Sequence, residues 1–147
     1  MENRLTKNFT LDELTASETA KALHIDNTPS GRVLENLKRL CVNVLQPLRD
    51  AWGAPIVVNS GYRSLALNRK VCGASNSDHL YGCAVDIKSI TCERTANKRL
   101  FDLAVKMMYA ERLRGVKQII DEHGYKWIHI SWQDGRTKKR NQVLHLR

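Results

Sequence analysis

The segment Ser77-Asp78-His79-Leu80-Tyr81-Gly82-Cys83-Ala84-Val85-Asp86, followed later by Trp127-Ile128-His129-Ile130-Ser131, constrains this chain more than any other feature. Two imidazoles and one carboxylate make a ready zinc set, and three such ligands leave a fourth position open for water. Structural zinc sites usually fill all four positions with Cys and His, so this set points to a catalytic metal and a hydrolase. Each residue also has an ordinary reading. His79 suits a loop, Asp86 suits a cap or a lysine partner, and His129 suits a strand face open to solvent. Against the ordinary reading, a carboxylate at the end of an apolar strand needs a strong partner to offset desolvation, and a metal supplies one.

The elements follow from pattern and punctuation. Thr10-Leu11-Asp12-Glu13-Leu14 has the capping-box spacing, with Phe9 placed as a hydrophobic staple, and predicts a short N-terminal helix. After the turn chemistry of Asn27-Thr28-Pro29-Ser30, the residues Val33, Leu34, Leu37, Leu40, Cys41, Val44, Leu45 and Leu48 recur at helical spacing. Pro47 lies in the last turns of that helix and predicts a kink or an end there; Gly53-Ala54-Pro55 closes it. Ile56-Val57-Val58-Asn59 reads as a buried strand, Gly61-Tyr62-Arg63-Ser64 as a turn, and Leu65 to Val71 as a short helix. Cys72 to Ser77 reads as a loop and Ala84 to Ile87 as a strand, which places His79 in a loop and Asp86 on a strand. Thr91 is placed to cap a helix running to about Arg114, with Gly115 as its stop. Val116 to Ile120 and Lys126 to Trp132 read as strands joined around His123-Gly124. In the second, Ile128, Ile130 and Trp132 share one face, and Trp127, His129 and Ser131 share the other.

At 147 residues the chain fits one domain, spanning 1–147. With 24 Lys+Arg against 15 Asp+Glu and a formal net charge of +9, it favours a polyanionic partner or surface, and Arg136, Lys138, Lys139 and Arg140 concentrate that charge near the end. No apolar run approaches the roughly 20 residues of a membrane span. Met1-Glu2-Asn3-Arg4 lacks the apolar core of a signal peptide, so synthesis in the cytoplasm is expected. Cys41, Cys72, Cys83 and Cys92 form no C-x-x-C pair. A structural zinc built from Cys72, His79, Cys83 and Cys92 would match no compact zinc module.

Several motifs together resemble the M15 metallopeptidases, the D-alanyl-D-alanine carboxypeptidase and phage endolysin group. They are Leu45-Gln46-Pro47-Leu48-Arg49, Ser60-Gly61-Tyr62-Arg63-Ser64, Asn68, Gly73-Ala74, Ser77-x-His79-x-x-Gly82-x-Ala84-x-Asp86 and Trp127-Ile128-His129. The Phe9-Thr10-Leu11-x-Glu13-Leu14 opening and Asp26-Asn27-Thr28-Pro29 resemble the small, often phage-borne, branch. The resemblance runs from about residue 9 to residue 132.

It implies an α+β fold of the hedgehog/DD-peptidase-like type, with a small antiparallel sheet and flanking helices. It also implies one zinc ion held by His79, Asp86 and His129, and hydrolysis of peptide bonds in peptidoglycan stem peptides. Arg63 lies where the family's arginine lies, and its guanidinium fork suits a substrate carboxylate or a developing oxyanion; Ser77 adds a hydroxyl beside the metal loop. The general base departs from the best-known pattern, because Lys126 occupies the position three residues before the last histidine where many relatives carry a carboxylate. The smaller branch carries a Gln-hydrophobic-Ile-x-Glu stretch, which Gln118-Ile119-Ile120-Asp121-Glu122 fits. Glu122 is therefore the first candidate for the base, and Asp121, one register step away, the second. A monomer acting at the bacterial wall after release is the expected setting. The rival reading is a basic, zinc-containing binding module for wall polymer or nucleic acid that has no turnover, although no recognised nucleic-acid module is present.

Overall fold

Thr10 opens the first helix as its spacing to Glu13 predicts. Its Oγ1 accepts from the Glu13 N–H at 3.2 Å while its own N–H donates to Glu13 Oε1 at 3.3 Å, and Phe9 beside it is buried. The computed structural model describes residues 3–146. A small hairpin of β1 (Arg4–Thr6) and β2 (Phe9–Thr10) leads into α1 (Leu11–Thr15), and Ser17 caps α2 (Glu18–Ala22), which follows.

The long apolar helix is continuous but irregular: α3 (Gly31–Leu40), a π-helical turn (Cys41–Leu45) and α4 (Gln46–Trp52) run end to end. The disturbance predicted at Pro47 lies just upstream of it. Pro47 has no N–H to offer the Asn43 carbonyl, and the Arg114 N–H takes that carbonyl at 3.2 Å. The Gln46 N–H reaches back five residues to Cys41, so the helix absorbs the proline and continues to Gly53, which closes it at φ 77°.

Among the described residues, five strands form the main sheet: β3 (Ile56–Ser60), β4 (Ala84–Ser89), β5 (Val116–Glu122), β6 (Trp127–Trp132) and β7 (Gln142–Leu146). Their order is β3-β4-β6-β5-β7, antiparallel throughout except for the parallel β5–β7 edge. The connections carry α5 (Leu65–Lys70), a single 3-10 turn at Asp78–Tyr81, and α6 (Arg94–Tyr109). α6 is shorter at both ends than its predicted span, with Glu93 rather than Thr91 at its start and Ala110 at its end. Gly115 acts elsewhere: at φ +79° it lies under the indole of Trp132, where an added Cβ would sit 2.6 Å from Nε1.

One face of the sheet is committed to the core. Val85, Ile87, Ile119, Ile128 and Ile130 pack with Leu100, Ala104, Met107 and Met108 of α6 and with Leu40, Val44, Leu45 and Leu48 of the long helix. Burial of each large apolar side chain contributes about 1.5–3 kcal/mol, so the register of β4 and β6 is firmly set. Because side chains alternate along a strand, Asp86 and His129 are forced onto the opposite face.

Candidate metal centre

β4 and β6 place Asp86 and His129 directly across from each other as register partners. Asp86 Oδ1 lies 2.9 Å from His129 Nδ1, and Asp86 Oδ2 lies 3.4 Å from His79 Nε2. One potential ligand atom from each of the three residues lies within 4.8 Å of the others. Tetrahedral zinc with bonds of about 2.0–2.2 Å separates its ligand atoms by roughly 3.3–3.6 Å, a spacing the His79–Asp86 pair already has at 3.4 Å, so the three donors need only a modest rearrangement to enclose an ion. Burial pushes the Asp86 carboxyl up, but hydrogen bonds and charge from His129 and His79 outweigh burial and hold it well below the usual carboxylate range.

His79 is delivered by the Asp78–Tyr81 turn rather than by a strand. Ser77 Oγ accepts from the His79 N–H at 3.2 Å at the start of the turn, and Gly82 closes it at φ +72°. A Cβ on Gly82 would meet the Val33 carbonyl at 2.6 Å, and Asn36 Nδ2 donates to Tyr81 O at 2.9 Å, so α3 seats the turn tightly. Beneath it, His79 Nδ1 lies 2.7 Å from the Gly61 carbonyl. A carbonyl only accepts, so Nδ1 carries a proton, and Nε2, 3.4 Å from Asp86 Oδ2, is the nitrogen left to face a metal.

Arg63, Ala74, Ser77, Glu122 and Trp127 line the same groove as the three donors. Arg63 is anchored through its backbone N–H to His79 O at 3.1 Å, and its Nη2 donates to Ser77 Oγ at 3.4 Å. Its Nε is buried with no partner among the described residues. Burial draws the Arg63 guanidinium below its ordinary range, against the opposing pull of Asp86 and Glu122.

Glu122 pairs across the sheet with Trp127, two residues from His129 on the same face. Trp127 Nε1 donates to Glu122 Oε2, which fixes the carboxylate at the rim of the groove. Asp121, the alternative base one register step away, is turned by strand alternation to the opposite face. There it accepts from the Tyr125 N–H at 2.6 Å and pairs with His145 at 3.1 Å, so it does not join the groove. Lys126 is exposed, with Nζ 6.0 Å from the centroid of the Trp127 ring. The cysteines do not assemble a site: Cys41 and Cys83 are buried, Cys72 and Cys92 exposed, and none belongs to the metal-binding group found among the described residues.

Two participants carried no assignment from sequence. Trp127 was readable as a neighbour of His129 on one strand face, yet an aromatic there is more often core. The Gly61 carbonyl is backbone, and no side-chain pattern points to it.

A mixed α/β fold that gathers two histidines and an aspartate at an open groove has the make-up of a metallopeptidase. The Peptidase M15 family model matches residues 7–131, and the chain belongs to that family. Over 44 residues it is also 54% identical to the "Zinc D-Ala-D-Ala carboxypeptidase" of Streptomyces albus G, a match covering 29% of this chain and 17% of that protein. Donor chemistry, family and the zinc-named relative agree on one cofactor, a zinc ion. No helix among the described residues is long and apolar enough to cross a membrane.

Proposed function

We propose that this chain is a zinc-dependent peptidase that hydrolyses peptide bonds in peptidoglycan stem peptides, with His79, Asp86 and His129 as the metal ligands. The observation that carries this reading is the convergence of those three donors with Arg63, Ser77 and Glu122 on one groove. When bound, zinc supplies Lewis-acid polarisation of a scissile carbonyl and makes water more acidic.

The chain's own residues do the rest. Glu122 Oε1 has no hydrogen-bond partner among the described residues, whereas Oε2 is held by Trp127. Oε1 is thus the atom that accepts a proton from water and returns it to the leaving amine. Arg63 Nη2 is held only at 3.4 Å by Ser77, and the guanidinium end that lines the groove binds a substrate carboxylate or carbonyl oxygen. Ser77 offers its hydroxyl on the same wall. The carboxypeptidase name of the Streptomyces relative favours a D-Ala-containing stem peptide as substrate, and Arg63 in the groove suits its carboxylate; on this reading the enzyme acts at the bacterial wall in the manner of an endolysin.

The rival reading, a basic binding module, loses part of its support in the structure. Arg136 of the basic cluster is already paired with Asp78 and Asp134. Defined peptidoglycan fragments incubated with the protein, with and without chelator and zinc add-back, separate the two by mass spectrometry. Loss of a terminal D-Ala identifies a carboxypeptidase, and internal cleavage identifies an endopeptidase. No cleavage by folded, zinc-loaded protein refutes the peptidase and leaves the binding module.

A further inference from the structure

Asp78 immediately precedes His79, yet its carboxylate serves a different set of partners from those of the groove. Lys117 Nζ of β5 lies 2.8 Å from Asp78 Oδ2, and Arg136 Nη2 lies 2.6 Å from Asp78 Oδ1. The Asp78 and Lys117 side chains are only 9% and 11% exposed. Arg136 is a two-way fork: its Nε also donates to Asp134 Oδ2 at 2.7 Å, and its guanidinium carbon lies 3.7 Å from the centroid of the Tyr81 ring. Asp78 and Tyr81 are the two ends of the turn that carries His79, so one arginine holds both ends.

Arg136 is itself held firmly. Its loop is tied to the sheet at each end, by Gln133 N–H to Gly115 O at 2.6 Å and Asn141 N–H to Val116 O at 3.1 Å. Across the loop, Gln133 Nε2 donates to Lys139 O at 2.6 Å. Asp134 and Arg136 lie beyond residue 131, where the family match ends.

We propose that Asp78, Lys117 and Arg136 form an ionic clamp that positions His79 for metal binding, and that the loop after β6 is thereby part of the metal site's support. The three are positioning residues, acting through His79 and touching neither metal nor substrate. The physical basis is that a metal ligand on a short turn has no strand register to fix it, whereas Asp86 and His129 do. Arg136 is the more exposed partner at 31%, but without it the nearly buried Asp78 keeps only Lys117, on the opposite carboxylate oxygen, and the Tyr81 end of the turn loses its contact, so the turn shifts. Groups that orient a metal ligand typically govern metal affinity by about 10–100-fold.

The inference rests on His79 being a metal ligand, so the test carries its own control. Zinc affinity is measured by chelator competition, and the absorption spectrum of the cobalt-substituted protein is recorded, for wild type, Arg136→Gln, Arg136→Lys, Arg140→Gln and His79→Ala. Arg136→Gln is expected to weaken zinc binding about tenfold and to shift the cobalt bands. Arg136→Lys keeps the charge but reaches one carboxylate at a time, and it falls between that variant and wild type. Arg140→Gln, an exposed cation of the same loop, changes neither. A purely structural role would lower Tm and leave the cobalt bands in place. The clamp is refuted if folded Arg136→Gln keeps the wild-type spectrum and affinity. Should Arg136→Gln not fold, a wild-type spectrum and affinity in Arg136→Lys refutes it instead. Wild-type zinc affinity in His79→Ala overturns the ligand assignment, and the clamp with it.

Discussion

Gly61→Ala tests how closely the fold and the metal site are joined. A Cβ on Gly61 would lie 2.2 Å from the Leu14 carbonyl oxygen and 2.9 Å from its carbon. Both are backbone atoms of α1, so no rotamer relieves the clash, and the two segments must part by roughly 1 Å to reach an ordinary contact. That separation strains the Tyr62 N–H to Leu14 O bond, now 2.7 Å, and displaces the Gly61 carbonyl that holds His79 Nδ1 at 2.7 Å. Overpacking costs about 1–3 kcal/mol and a lost hydrogen bond about 1 kcal/mol, or about 2–4 kcal/mol together. For a chain of this size, Tm should fall by roughly 5–15 °C. With the tautomer of His79 no longer fixed, zinc affinity should fall about tenfold. Thermal unfolding of the metal-free protein and chelator competition measure the two effects separately. A Gly61→Ala protein with Tm within about 2 °C of wild type and unchanged zinc affinity would refute both the packing argument and the role of this carbonyl.

Glu122→Gln should lower turnover by about 10²–10⁴-fold, the usual loss for a general base, while zinc content stays at the wild-type level. Asp121→Asn should keep most of its turnover, because Asp121 faces away from the groove; equal losses in the two variants would contradict the assignment. Burial pushes the Cys41 and Cys83 thiols from 9.0 up to about 12. A raised thiol pKa leaves only about one thiolate in 10⁴ at pH 8, so a thiol reagent should label Cys72 and Cys92 in the native protein and all four only after denaturation. Rapid labelling of Cys41 or Cys83 in the native state would show that the core around them is open.

Much of the site was legible because its chemistry lies in side chains at fixed spacing. His79, Asp86, His129, Arg63, Ser77 and Glu122 reach one groove as the motifs imply. The period-2 pattern of β6 correctly separated Ile128 and Ile130 from Trp127 and His129. The same parity argument, applied to Asp121, would have placed it on the core face had the strand been extended through Glu122. What sequence could not reveal depended on distant pairing. β7 carries no assignment from sequence because Val143-Leu144-His145-Leu146 is only a short apolar run, and a parallel edge strand has no adjacent hairpin turn to signal it. The π-helical turn before Pro47 depends on Arg114, far along the chain, taking the Asn43 carbonyl. Arg136 read as one more surface cation because Asp78, its partner, is 58 residues away.

Diffraction from zinc-loaded crystals at the zinc absorption edge tests the central claim most directly. The account predicts one anomalous peak per chain, bonded to His79 Nε2, an Asp86 carboxylate oxygen and His129 Nδ1 at about 2.0–2.2 Å. A peak on the cysteines, or a zinc ion bound without His79 or His129, would contradict it.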